Sequence, residues 1–118
     1  MKIYIVLPLI ALALLSCETH TYEDIEENTV VADTVTYNAQ AKVIIDANCI
    51  TCHADGGSAS FRPLTNYAEV KDAVLNTNLL ERIQMQTGEP SVMPQSGRMP
   101  QGKIDIILQW NADGLSEN

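Results

Sequence analysis

At 118 residues the chain has room for one compact domain, once any processed segment is set aside. Its charged and apolar fractions, 19% and 46%, are those of a globular protein, but a single Phe and a single Trp leave a thin aromatic supply for a core. Seven Lys and Arg, dispersed along the chain, stand against fifteen Asp and Glu for a formal charge of -8, which excludes a phosphate-neutralising basic stripe and nucleic acid with it, and favours a protein partner with a basic or neutral docking face.

Met1-Lys2 followed by the apolar run Ile3 to Leu15 has the charged start and short hydrophobic stretch of a secretory signal, and is too short for a comfortable transmembrane helix. It closes on Leu14-Leu15-Ser16-Cys17, which resembles the bacterial lipobox. The resemblance implies that residues 1–16 are removed as a signal peptide and that Cys17 is acylated. The protein is then expected to be exported and held by lipid on a bacterial membrane, on its periplasmic or cell-surface side. Each buried CH₂ of such a chain contributes roughly 0.8 kcal/mol. Residues 18–36 carry six acidic residues and no Lys or Arg, so residues 17–37 read as the lipidated cysteine and an extended acidic tether. A loop packed on the domain is the alternative for Val30 to Thr36.

The domain is expected over residues 38–118. Asn38 is placed to cap a helix running to Ala47, with Ala39, Val43 and Ala47 on one face and Ile44 widening it. Residues His53 to Pro63, with Gly56-Gly57-Ser58 among them, have the composition of a loop that bends tightly and lets backbone approach closely. Asn66 with Glu69 predicts the start of a second helix through Tyr67, Val70 and Val74. Asn78 with Glu81 repeats the signal before Leu79, Leu80 and Ile83, with Gly88 as the stop. From Gly88 to Gly102, three prolines and three glycines, with Met93-Pro94 and Met99-Pro100 among them, predict an extended loop. A last helix over Ile104 to Trp110, apolar at nearly every position, stops near Gly114. The fold class is therefore all-α, with three or four short helices and long loops. At about 80 residues a protein core alone rarely supplies more than about 3 to 5 kcal/mol, so an extra staple is expected.

Cys49-Ile50-Thr51-Cys52-His53 supplies one. Cys-X-X-Cys-His is the c-type haem attachment signature: two thiols three residues apart each add to a vinyl group of one porphyrin, and the adjacent imidazole ligates the iron. Two alternatives stand beside haem. A zinc site needs a fourth ligand and finds only the distant His20, and a thioredoxin-like dithiol wants a βαβ context that this chain lacks. With haem the cysteine count closes, Cys17 taking lipid and Cys49 and Cys52 the macrocycle. Export agrees, since c-type haem is attached in bacteria outside the cytoplasm.

A haem that only transfers electrons is usually held by His and Met. The thioether candidates are Met85, within the predicted third helix, and Met93 and Met99, each followed by proline. Residues 39–114 resemble a bacterial class I cytochrome c domain. In that family a helix precedes the attachment motif, a Met-Pro in a loop supplies the sixth ligand, and a final helix ending near Trp-x-x-x-Gly packs on the first. Cys49, Cys52, His53, Met93-Pro94 and Trp110 with Gly114 carry the resemblance, and the second Met-Pro is a departure from it. The resemblance implies a cytochrome c-like fold around one covalent haem c, with His53 and Met93 as axial ligands and Met99, where the family often has a core Leu, as packing; Met99 is the alternative ligand. His20 is a further histidine, placed in the tether. Arg62 and Arg98 are candidate partners for haem propionates, or ordinary solvated arginines.

The expected function is extracytoplasmic electron transfer by a membrane-anchored carrier, not an enzyme. The alternatives are a haem enzyme or gas sensor with an open sixth position, and a haem subunit of a larger oxidoreductase.

Overall fold

The computed structural model describes residues 34–118. Thr36 is extended and opens the first helix. Its hydroxyl accepts from the Ala39 N–H, and its own N–H donates to Oε1 of Gln40 at 2.9 Å. A reciprocal capping pair normally spans three residues. Here it spans four because the first turn, Tyr37–Ala41, is π-wound, with the Lys42 N–H donating to the Tyr37 carbonyl. The chain then tightens into α1, Lys42–Asn48.

The cap is thus Thr36 and not Asn38, and the buried face differs from the expected one. Tyr37, Ala41, Ile44 and Ile45 are buried, whereas Ala39 and Ala47 are exposed and Val43 is 67% exposed. Both sets are spaced for one helix face. The set that wins contains the larger side chains and starts at Tyr37, a residue assigned to the tether. Val35, fully buried, likewise belongs to the core.

After the loop that follows α1 come α2, Tyr67–Asn76, and α3, Leu79–Gln84. Asn66 caps α2 as expected, accepting from the Glu69 N–H at 3.1 Å, while the Glu69 carboxylate reaches back to Thr65, accepting from its N–H and hydroxyl. Those hydrogen bonds hold the exposed Glu69 carboxyl below its usual range. Asn78 makes no such bond. The hydroxyl of Thr77, one residue earlier, accepts from the Leu79 N–H instead. The third helix stops at Gln84, where Met85 turns extended, before Gly88 is reached.

The last helix, α4, Gln101–Ala112, starts three residues ahead of the expected Ile104 and buries Ile104, Ile107 and Trp110. It ends in a Schellman motif: the Gly114 N–H donates to the Asn111 carbonyl and the Leu115 N–H to the Trp110 carbonyl, with Gly114 at φ +91°. Leu115, itself at φ +57°, is buried. Turning here sends residues 115–118 back across the start of the first helix. The Tyr37 and Asn38 N–H groups, which no helix can satisfy internally, donate to the Ser116 and Glu117 carbonyls at 2.9 Å. Val35 N–H donates to the Asp113 carboxylate at 2.7 Å. Beneath this clasp Tyr37, Tyr67 and Trp110 pack as an aromatic trio with centroids 5.5 to 6.4 Å apart, the indole N–H donating to the Ser116 carbonyl and the Tyr67 hydroxyl to the Leu115 carbonyl.

The described residues contain no strand, so the all-α class stands, and none of their helices is long and apolar enough to cross a membrane. Trp110→Ala is expected to destabilise the fold by about 3 to 5 kcal/mol. Gly114→Ala, which forces a side chain into left-handed backbone, is expected to cost about 1 to 2 kcal/mol. Chemical denaturation followed by circular dichroism checks both.

Candidate functional site

The C-terminal end of α1 delivers the chain to Cys49. The Cys49 N–H donates to the Ile45 carbonyl, and the N–H groups of Cys52 and His53 both donate to the Cys49 carbonyl, so the motif folds as a turn continuing the helix. The loop beyond it is tied back onto this turn. Ala59 N–H donates to the Cys52 carbonyl at 2.9 Å and Leu64 N–H to the His53 carbonyl at 2.8 Å. Gly57 is obligatory for that closure, because a Cβ at this position would lie 2.2 Å from the Cys52 carbonyl oxygen. The close backbone approach expected of the glycine pair is thus to the motif itself.

His53 Nδ1 lies 2.8 Å from the Arg62 carbonyl oxygen. A carbonyl only accepts, so Nδ1 carries a proton, and in the neutral ring it is Nε2 that holds the lone pair, the tautomer of a metal-ligating histidine whose other nitrogen is fixed by backbone. Cys49 is half-buried against the core and Cys52 is exposed. Burial, with a smaller contribution from the Asp46 carboxylate, pushes the Cys49 thiol up to about 11, so at neutral pH it keeps its proton. Among the described residues no three His, Cys, Asp or Glu side chains gather closely enough to hold an ion, and Cys49, Cys52 and His53 do not converge on a point. His20 and Cys17 lie outside the described residues.

Cys49, Cys52 and His53 form one wall of a cavity of about 820 Å³. Its apolar lining includes Ile45, Leu64, Leu79, Ile83 and Ile107, and the segment Met93 to Ser96 with Met99 lines it too. The volume is in the range, about 300–1,000 Å³, of sites that enclose an organic cofactor. Met93 is partly buried and its N–H donates to the Arg82 carbonyl at 3.1 Å; Met99 is 4% exposed and belongs to the core. Both thioethers therefore share a cavity with His53, and Met85 does not line it. The donor set and the apolar walls suit a large flat macrocycle anchored along one edge better than a point ion.

The two candidate arginines are placed differently from each other. Arg62 lines the cavity, but its guanidinium donates to the Asp72 carboxylate at 3.1 Å. Arg98 does not line it; its guanidinium donates to the Gln101 carboxamide. Arg82 does line it and was not among the candidates. The signal available in the sequence was the spacing Leu79, Arg82, Ile83, which sets an arginine in an otherwise apolar helical stripe. The chain matches no family model, and no curated protein or solved structure matches it.

Gly57→Ala is expected to break the Ala59–Cys52 hydrogen bond and to raise amide exchange at Ala59 by about tenfold, with the α2 amides unchanged. In a Cys17→Ser, Cys52→Ser background without haem, alkylation of Cys49 is expected to be slow at pH 8 and to accelerate toward pH 11 as the thiolate forms. Iodoacetamide kinetics across that range measure it.

Proposed function

We propose that this protein is a single-haem c-type cytochrome that transfers electrons outside the cytoplasm, tethered to a membrane through lipid on Cys17. The observation that carries the reading is the shared cavity: both motif thiols, His53 in its ligating tautomer, and Met93 from the loop before α4 all line it. Cys49 and Cys52 would hold the macrocycle by thioether bonds, and His53 Nε2 and the Met93 Sδ would be the axial ligands. When bound, the iron supplies a one-electron ferric/ferrous couple, and thioether ligation raises its potential.

The protein's own part is positional and electrostatic. The Arg62 carbonyl orients His53 and fixes its proton on Nδ1. The Arg82 carbonyl holds the backbone of Met93. Ile45, Leu64, Ile83 and Ile107 keep water from the parts of the cavity wall they form, which limits solvent reorganisation when charge changes. Cys52 and Phe61, the latter 86% exposed, both line the cavity, so it opens to solvent where a redox partner can approach. The architecture this reading implies is cytochrome c-like, and the packing of α4 against the first helix supports it.

The chain matured with a cytochrome c assembly system is expected to gain one haem by intact mass and to give a c-type pyridine haemochrome. Cys49→Ala with Cys52→Ala abolishes the covalent gain. Met93→Ala keeps the haem but loses the low-spin spectrum of the oxidised protein, becoming open to carbon monoxide when reduced. An unchanged spectrum in Met93→Ala, lost instead in Met99→Ala, moves the ligand to Met99. Absence of covalent haem in the wild type overturns the reading.

A further inference from the structure

Fifteen Asp and Glu side chains are present in the chain, yet none of those in the described residues lines the cavity, whereas two arginines do. Arg62 is already neutralised by Asp72. Arg82 forms no ion pair among the described residues, and its Nε is buried without a hydrogen-bond partner. Among the described residues two other buried polar atoms lack partners, the Tyr37 hydroxyl and Arg98 Nε, but neither residue lines the cavity. A guanidinium N–H withdrawn from water with nothing to donate to is costly, the more so since the group is charged. Of the three, Arg82 alone is placed where a bound group can complete it.

We infer that Arg82 is the carboxylate-binding residue of the cavity, its guanidinium receiving an acidic substituent of the bound group in a charge-assisted pair. The inference rests on the haem reading, in which that acid is a propionate. Arg82 sits on α3 beside Leu79 and Ile83, so the guanidinium enters the cavity wall from an apolar stripe with its Nε buried, where a pair is worth more than on an open surface. The same residue's backbone carbonyl accepts from the Met93 N–H. Side chain and main chain of one residue thereby act separately: the first binds the acid and the second steadies the ligand loop. A substitution removes the first function and leaves the second.

The test uses the full-length haem-loaded protein, as wild type, Arg82→Gln, Arg82→Lys and Arg98→Gln, with the midpoint potential and oxidised spectrum of each. Losing the cation leaves the carboxylate uncompensated and disfavours the reduced iron. Arg82→Gln is expected to lower the reduced-to-oxidised ratio at the wild-type midpoint by about three- to tenfold, tenfold corresponding to 59 mV for a one-electron couple. Its low-spin spectrum stays intact because the Arg82–Met93 backbone bond remains. Arg82→Lys recovers most of the shift, and Arg98→Gln, which removes the same charge away from the cavity, moves the potential by less than half as much. Equal potentials in wild type and Arg82→Gln overturn the inference. So does equal failure of the Gln and Lys variants to retain haem, which assigns Arg82 to packing. A wild type that gains no haem mass overturns this inference together with the reading it rests on, and the mass separates that case from failure at Arg82 alone.

Discussion

The clasp of residues 115–118 across the start of the first helix is what the remaining structure depends on. The first helix is a single π turn followed by seven α residues, Lys42–Asn48. A helix of that length is marginal in water by itself. It is held because its leading N–H groups donate to carbonyls of the C-terminal segment and because Tyr37 is locked into the trio with Tyr67 and Trp110. Since the Cys49–His53 turn is the direct continuation of that helix, the position of the two thiols and the imidazole relative to α3 and α4 is set at the opposite end, by Trp110 and the tail.

A second constraint acts on the other side of the turn. Three hydrogen bonds, from Ala59 to Cys52, from Leu64 to His53 and between His53 Nδ1 and the Arg62 carbonyl, convert a loop with no regular structure into a brace. Irregular backbone can be rigid when its polar groups are paired in this way. Gly57 is the residue without which the brace cannot close on the motif.

Local chemistry was readable in the sequence, and long-range competition was not. Asn66 with Glu69 marked the start of α2 correctly because a side-chain cap is settled within four residues. The same signal at Asn78 failed because Thr77 offers an equivalent oxygen one residue earlier. At the first helix the signal at Asn38 lost to Thr36, and the face through Ala39, Val43 and Ala47 lost to the one through Tyr37, Ala41 and Ile45. That choice is made by Trp110 and Tyr67, many residues away. The motif cysteines and His53, and the two Met-Pro loops, were legible as chemistry, and they do share one cavity. Of the two arginines marked by glycine and proline neighbours, Arg62 lines that cavity and Arg98 does not, while Arg82 is identified only once α3 is packed.

The hydrogen bonds of the clasp join residues 78 to 80 positions apart. Closing so large a loop carries an entropic cost that nearer contacts do not, and contacts of such separation form late and slowly. As the chain emerges from its N-terminal end, residues 49–53 therefore become available well before residues 113–118 can seat the helix that carries them. Until then the two thiols lie on a helix whose leading end has no partner, and the order of emergence itself sets the turn ahead of the contacts that fix its place.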